Sequence, residues 1–300
     1  MICEKCGCEY EAKSCPLCKK RRRNEFFAGV AKAICYTSLF VILQVGVQTG
    51  FVILKAFGAI LGGASDLDAY TMILESIYAN VCKLTTLSSL VTIFAVCFFF
   101  LVQKKVIADE IWFKPVKNSA LGLAALFGAA AQPVITVGVN FVPWPESWVE
   151  SLSVLNEVLV EEPLGWQVLA VAFLGPITEE LIFRGLVYTR LRRASSPIVA
   201  AVLSSIAFGA IHGNMIQFFY AAAFGIVMAL LMERYHSILP CLIVHIFFNG
   251  FGIVPYFDLP MGWFILVYVA SVAVAIYTAY QIWFNKKDIQ TERNTPDETV

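Results

Sequence analysis

The feature that most constrains this chain is a succession of apolar runs, each close to the length of a membrane-crossing helix. A helix rises about 1.5 Å per residue, so about 20 apolar residues traverse the hydrocarbon core of a bilayer. Runs of this kind predict spans over 33–54, 84–102, 120–142, 165–188, 197–212, 217–232, 238–256 and 261–284. Hydrocarbon offers backbone groups no partner, so each span must satisfy its own hydrogen bonds as a helix. The expected fold is therefore an all-α polytopic membrane protein with about eight transmembrane helices. Composition agrees: 59% of residues are hydrophobic and 15% charged, against about 45–50% and about 25% in soluble domains. The fifth and sixth spans are short and only residues 213–216 separate them, which reads as a tight hairpin or a partly re-entrant pair.

Formal net charge is zero, so no overall field points to nucleic acid, and the bulk partner is membrane lipid. Where the charges fall is more informative. Basic residues cluster at Lys19 to Arg23, at Lys104, Lys105, Lys114 and Lys117, at Arg190, Arg192 and Arg193, at Arg234, and at Lys286 and Lys287. Acidic residues occupy the alternate loops, with Asp66, Asp68 and Glu75 in one and Glu146, Glu150, Glu157, Glu161 and Glu162 in another. The positive-inside rule then predicts a multi-pass cell-membrane protein with both termini cytoplasmic. The polar, Cys-rich start reads as no secretory leader. Loop 143–163 carries Trp144, Trp148 and a periodic stretch over 149–160, and reads either as an interfacial amphipathic helix or as an ordinary polar loop. The polar tail 285–300 is expected to be disordered.

Of nine cysteines, Cys3, Cys6, Cys15 and Cys18 form two Cys-x2-Cys knuckles. Four thiolates close a tetrahedral structural zinc site, and a segment this short needs the metal because it cannot build a core. Cys8 is surplus to that set. The knuckles resemble the zinc ribbons at the ends of many prokaryotic membrane proteins. The remaining Cys35, Cys82, Cys97 and Cys241 sit in or beside apolar runs, where cysteine acts as a small hydrophobe. The chain thus divides into a zinc-ribbon-like module (1–20), a basic juxtamembrane linker (21–32), a membrane domain (33–284) and a cytoplasmic tail (285–300).

Chemistry concentrates in the fourth span, where Glu179 and Glu180 interrupt an apolar run. Ionised carboxylates in hydrocarbon cost several kcal/mol, so they are rare there and functional by default. Glu180 and Arg184 are four residues apart and share a helix face, so they can pair. Glu179 points about 100° away, on the face of Phe183, and is left to be activated. Pro176, just upstream, frees a backbone carbonyl near the acids. The fifth span places Phe208 one turn before His212, and the seventh places His245 one turn before Asn249. A carboxylate and a histidine can polarise a water, and a second histidine and an amide can donate to a developing oxyanion. Taken singly, each element also has a packing role: an ion pair, or interhelical hydrogen bonds.

Together, Glu179-Glu180-Leu-Ile-Phe183-Arg184-Gly185, Phe208-x3-His212 and His245-x3-Asn249 resemble the three ordered motifs of the CPBP family. That family comprises CAAX-type prenyl endopeptidases, abortive-infection-like membrane proteases and bacteriocin-processing or immunity proteins. The resemblance covers about 165–256 and implies an intramembrane endopeptidase acting on a peptide or membrane-protein substrate. It implies Glu179 as the base with His212 as its partner, His245 and Asn249 as oxyanion donors, and Glu180 and Arg184 as groups that fix the site. The His-Glu-x-x-His zinc helix is absent from the sequence; Glu179, His212 and His245 still offer three ligands for an active-site metal, so metal-bound and carboxylate-activated water both stay open. Two other classes compete: a membrane scaffold or immunity-type protein using the same polar cluster for binding, and a transporter relaying protons, although no internal repeat is evident. Counting along the spans leaves one tension. Glu179 and His245 fall toward the cytoplasmic half and His212 toward the outer end, a mismatch near 10 Å. A fifth helix that starts deeper, tilts or re-enters would remove it.

Overall fold

The computed structural model describes residue 9, residues 15–254 and residues 259–285. Its helices are α1 (Pro16–Leu61), α2 (Asp66–Tyr78), α3 (Val81–Val102), the single turn α4 (Ile107–Glu110), α5 (Asn118–Asn140), α6 (Glu146–Glu161), α7 (Leu164–Ala194), α8 (Pro197–Ala210), α9 (Met215–Tyr235), α10 (Leu239–Gly252) and α11 (Met261–Phe284). Six of them, α1, α3, α5, α7, α9 and α11, are long and apolar enough to cross a bilayer, while α8 and α10 are shorter apolar helices. The chain is an all-α polytopic membrane protein.

Every predicted span is a helix, but several lengths differ, for local reasons. The sixth run is not short: α9 has 21 residues, because the Asn214 side chain caps its first turn and its charged last turn finds partners. There Glu233 pairs with Arg192 and Arg234 donates to Ile282 O and Asn285 O. The seventh run is shorter than expected, with 14 residues in α10, about 21 Å of rise. The basic segment 21–32 forms the early turns of α1, which Pro16 opens at its favoured first-turn position. Of the knuckle cysteines, Cys15 is the buried N-cap of α1 and Cys18 lies in its first turn; Cys3, Cys6 and the surplus Cys8 lie outside the described residues, as does the tail beyond Asn285. Loop 143–163 contains the amphipathic alternative, α6, whose Trp148 ring meets Phe219 of α9 at 6.3 Å and Trp144 at 6.1 Å. The acidic loop 66–78 is itself a helix, α2, capped by Ser65.

Side-chain contacts gather the charged segments at two ends. At one end Glu110 pairs with Arg190 and Arg193, Arg192 with Glu233, and Ser237 Oγ donates to Lys114 O. At the other, Glu162 accepts from the backbone of Cys82, and Asn214 donates to Trp148 O and Ser151. This is the alternation that the charge pattern predicts. Helix α7 runs through the centre, with every residue of Leu181–Tyr188 buried. Small residues let its neighbours close up: a Cβ on Gly128 of α5 would sit 2.2 Å from Val244 O of α10, and one on Gly209 of α8 would sit 2.6 Å from Phe218 O of α9.

Candidate active site

The backbone of α7 is the first peculiarity of the site. Val168–Leu174 and Leu181–Tyr188 are π-helical and flank an α-helical stretch, Gly175–Glu180, that carries both acids. Gly175 N donates to Ala170 O, five residues back. The next donor in that register, to Val171 O, would be residue 176, and Pro176 has no N–H. Val171 O is thereby released from the helix, and Asn249 Nδ2 of α10 donates to it at 3.0 Å. Pi-bulges of this kind are frequent at functional sites.

On the face of α7 toward α10, Glu180 is fully buried and held from two sides. Arg184 Nε lies 3.2 Å from its Oε2, and His245 Nδ1 lies 2.7 Å from its Oε1. The Arg184 side chain is 1% exposed. Its Nη1 and Nη2 make no hydrogen bond among the described residues; instead the guanidinium carbon stands 4.2 Å from the centroid of the Phe208 ring. A weakly hydrated, delocalised cation on an aromatic face is a workable arrangement at low dielectric.

Against an ionised Glu180, His245 Nδ1 carries the hydrogen and donates. Its Nε2 then faces Glu179 Oε2 at 3.6 Å, too far for a direct hydrogen bond and close enough for strong electrostatic coupling. Glu179 is the open member of the pair, its side chain 21% exposed where that of Glu180 is sealed. The arrangement is a carboxylate–imidazole–carboxylate line with one sealed end and one accessible end.

Phe208 organises the rest. Its ring meets Phe183 at 5.3 Å, His212 at 5.0 Å and His245 at 5.9 Å, all edge-on. Both imidazoles therefore border one aromatic ring, and the predicted depth mismatch is absent. The reason is the length of α7. The apolar run ends at residue 188, whereas the helix continues to Ala194, which places Glu180 about 21 Å from that end. The 14-residue α8, entered from the same end, also climbs about 21 Å before reaching His212. His212 itself is half-buried in the turn after α8, and its Nδ1 lies 2.9 Å from Phe208 O. A carbonyl only accepts, so Nδ1 carries the hydrogen and Nε2 presents a lone pair.

Helix α9 supplies members that the motif reading did not single out. Phe224 packs edge-on against His245 at 5.4 Å and lies tilted over Phe248 at 4.5 Å. Tyr220, one turn earlier, lies within electrostatic range of Glu179. Their spacing of four on a span of nearly uniform hydrophobicity gave no sequence signal, because such a helix has no distinct polar face to mark. Among the described residues, no group of three or more His, Cys, Asp or Glu side chains is arranged to hold a metal ion. His245 Nδ1 is taken by Glu180 and His212 Nδ1 by Phe208 O, which leaves Nε2 of each imidazole as the nitrogen turned to a metal or a water.

Residues 161–251 match the family described as type II CAAX prenyl endopeptidase Rce1-like. A Bacillus subtilis (strain 168) protein named "Putative membrane peptidase YdiL" is 27% identical over 105 residues, 35% of this chain and 42% of that protein. The chain thus matches under half the length of this curated relative. No solved structure matches it significantly. The family match runs from the end of α6 into α10 and contains Glu179, Glu180, Arg184, Phe208, His212, His245 and Asn249. Through that segment, this membrane protein is similar to the Rce1-like CAAX prenyl endopeptidases.

Proposed function

We propose that this protein is an intramembrane endopeptidase that hydrolyses a peptide bond with a water activated by Glu179. The observation that carries the reading is the line Glu180–His245–Glu179, with only Glu179 accessible. Glu180, neutralised by Arg184, accepts from Nδ1 and orients His245, as a buried carboxylate does in hydrolytic triads, and in this reading His245 carries a hydrogen on Nε2 as well. Glu179 takes a proton from the water, whose oxygen attacks the carbonyl carbon. His212 Nε2 accepts the water's second hydrogen and orients it. The oxyanion is met by the proton on His245 Nε2 and by the second N–H of Asn249, the first being given to Val171 O. The proton on Glu179 then passes to the amide nitrogen as the C–N bond breaks.

Among the described residues no three His, Cys, Asp or Glu side chains are arranged as a metal site, and the steps above use the chain's own groups alone. The substrate class is a peptide or membrane-protein segment. The basic end, with both chain termini, is read as cytoplasmic, and structural zinc at Cys3, Cys6, Cys15 and Cys18 as the fastener of the N-terminal module. The test is cleavage of membrane-associated peptides, prenylated and unmodified, by the protein reconstituted in liposomes. Glu179→Gln is expected to lose activity by about 10²–10⁴-fold, the usual weight of a general base, while melting at the wild-type temperature. A folded Glu179→Gln protein that cleaves at the wild-type rate overturns the assignment. A chelator arm, run on protein lacking residues 1–20, separates carboxylate-activated from metal-bound water: unchanged cleavage supports the former.

A further inference from the structure

A second constellation lies at the basic end, away from the glutamate pair. Between the first half of α1, the end of α3 and the end of α7 there is an open cavity of about 580 Å³. Its depth is set where α1 and α7 touch: Gly29 packs so tightly on α7 that a Cβ there would lie 2.8 Å from the Ala194 Cβ and 3.2 Å from Arg190 O. Four cations line the cavity, Lys32, Lys105, Arg190 and Arg193. Three of them share one carboxylate, Glu110, with Arg190 at 2.6 Å, Arg193 at 3.0 Å and Lys105 at 3.9 Å. Lys32 has no ion pair among the described residues. The other lining acid, Glu25, is engaged by Arg21, so the walls carry an excess of positive charge.

The opposite wall is apolar. Tyr36 and Phe99 meet edge-on at 6.4 Å, Phe99 is 41% exposed, and the Arg190 guanidinium stands 6.0 Å from the Tyr36 ring. The cavity therefore joins a cationic rim to an aromatic wall, Tyr36 and Phe99, borne on two helices long and apolar enough to cross a bilayer. A free anion needs only the rim. A molecule that uses both parts carries a negative headgroup and a hydrocarbon chain. Arginine and lysine pair well with phosphate oxygens, and basic pockets between transmembrane helices suit anionic headgroups.

We propose that this cavity binds one acidic phospholipid, its phosphate between Lys32, Lys105 and Arg193 and one acyl chain against Tyr36 and Phe99. Arg190, buried and paired with Glu110, anchors the rim rather than the ligand. The site is independent of the peptidase reading, since none of its residues touches the glutamate pair.

The test is the melting temperature of the full-length protein in a zwitterionic detergent with added short-chain phosphatidylglycerol, phosphatidylcholine, glycerol phosphate or inorganic phosphate. Phosphatidylglycerol is expected to raise the melting temperature saturably, because a ligand that binds only the folded state stabilises it by mass action. The other three are expected to give little or no shift. Lys32→Gln/Arg193→Gln is expected to lose most of the shift while melting as a single transition. Lys55→Gln, a charge removed from α1 outside the cavity, is expected to keep it. Equal shifts from phosphatidylcholine, or from inorganic phosphate, overturn the lipid assignment. So does a full shift in the double variant, or an equal loss in Lys55→Gln, which would reduce the effect to net charge.

Discussion

Arg184 decides whether two acids can stay in the middle of this bundle. It is 1% exposed, ion-paired with Glu180 at one edge and stacked on Phe208 at its face. Removing one member of a buried ion pair strands the other charge, a loss of about 3–5 kcal/mol, whereas replacing both by apolar groups is often neutral. Arg184→Leu is therefore expected to destabilise strongly, and Glu180→Leu/Arg184→Leu to recover most of the stability, measured by denaturant unfolding in micelles. Peptide cleavage is expected to stay lost in the double variant, because His245 has lost the carboxylate that orients it. Recovery of both properties would show that Glu180 is only a packing group. Asn249 permits a related separation. Asn249→Leu leaves Val171 O without a donor and is expected to cost about 1–3 kcal/mol, as well as activity. Asn249→Ser, which keeps a donor on a shorter arm, tests whether that anchor matters more than the second N–H.

Among the elements, the close approach of α5 to α10 carries the position of the site. Gly128 faces Val244 O, and Val244 directly precedes His245. A methyl group 2.2 Å from a backbone oxygen cannot be absorbed by a rotamer change, so Gly128→Ala must move one helix. The expected outcome is a loss of about 1–3 kcal/mol with a fall in kcat larger than the change in KM, as His245 shifts off the line between the glutamates. Unaltered stability and kinetics would mean that α5 and α10 can separate without consequence. This contact also marks where the sequence stops being informative. Apolar runs reveal that helices exist, and spacings of four along single helices reveal Glu180 with Arg184, Phe208 with His212, and His245 with Asn249. Which helices touch, and through which glycine, depends on tertiary packing that no periodicity records. The ends of α7 and α9 were missed for a similar reason. Arg190, Arg192 and Glu233 look like loop residues until their cross-helix partners allow helical turns to continue through them. The π register of α7 was half visible, since Pro176 announces a freed carbonyl but not which one, nor that Asn249 would claim it.

At the scale of the whole molecule, the charged ends hold the bundle's connectivity together. Glu110, outside the spanning helices, joins α4 to the end of α7. Partial burial alone would raise its carboxyl, but the hydrogen bond from Arg193 and the charges of Arg190, Arg193 and Lys105 outweigh burial and hold it below the ordinary 4.5. A carboxylate with a depressed folded value contributes stability in full above its unfolded value, and that contribution fades as pH falls through the folded one. The melting temperature of wild type should therefore exceed that of Glu110→Gln by a constant margin at neutral pH, and the margin should close as the pH drops below 4.5. High salt should shrink it only in part, since Glu110 is 17% exposed and screening acts mainly on open pairs. A margin that persists unchanged well below that range would mean that Glu110 holds α4 by shape alone. The structural role of the clip would then pass to Ser237 and Trp112, whose bonds to Lys114 O and Ile238 N do not titrate.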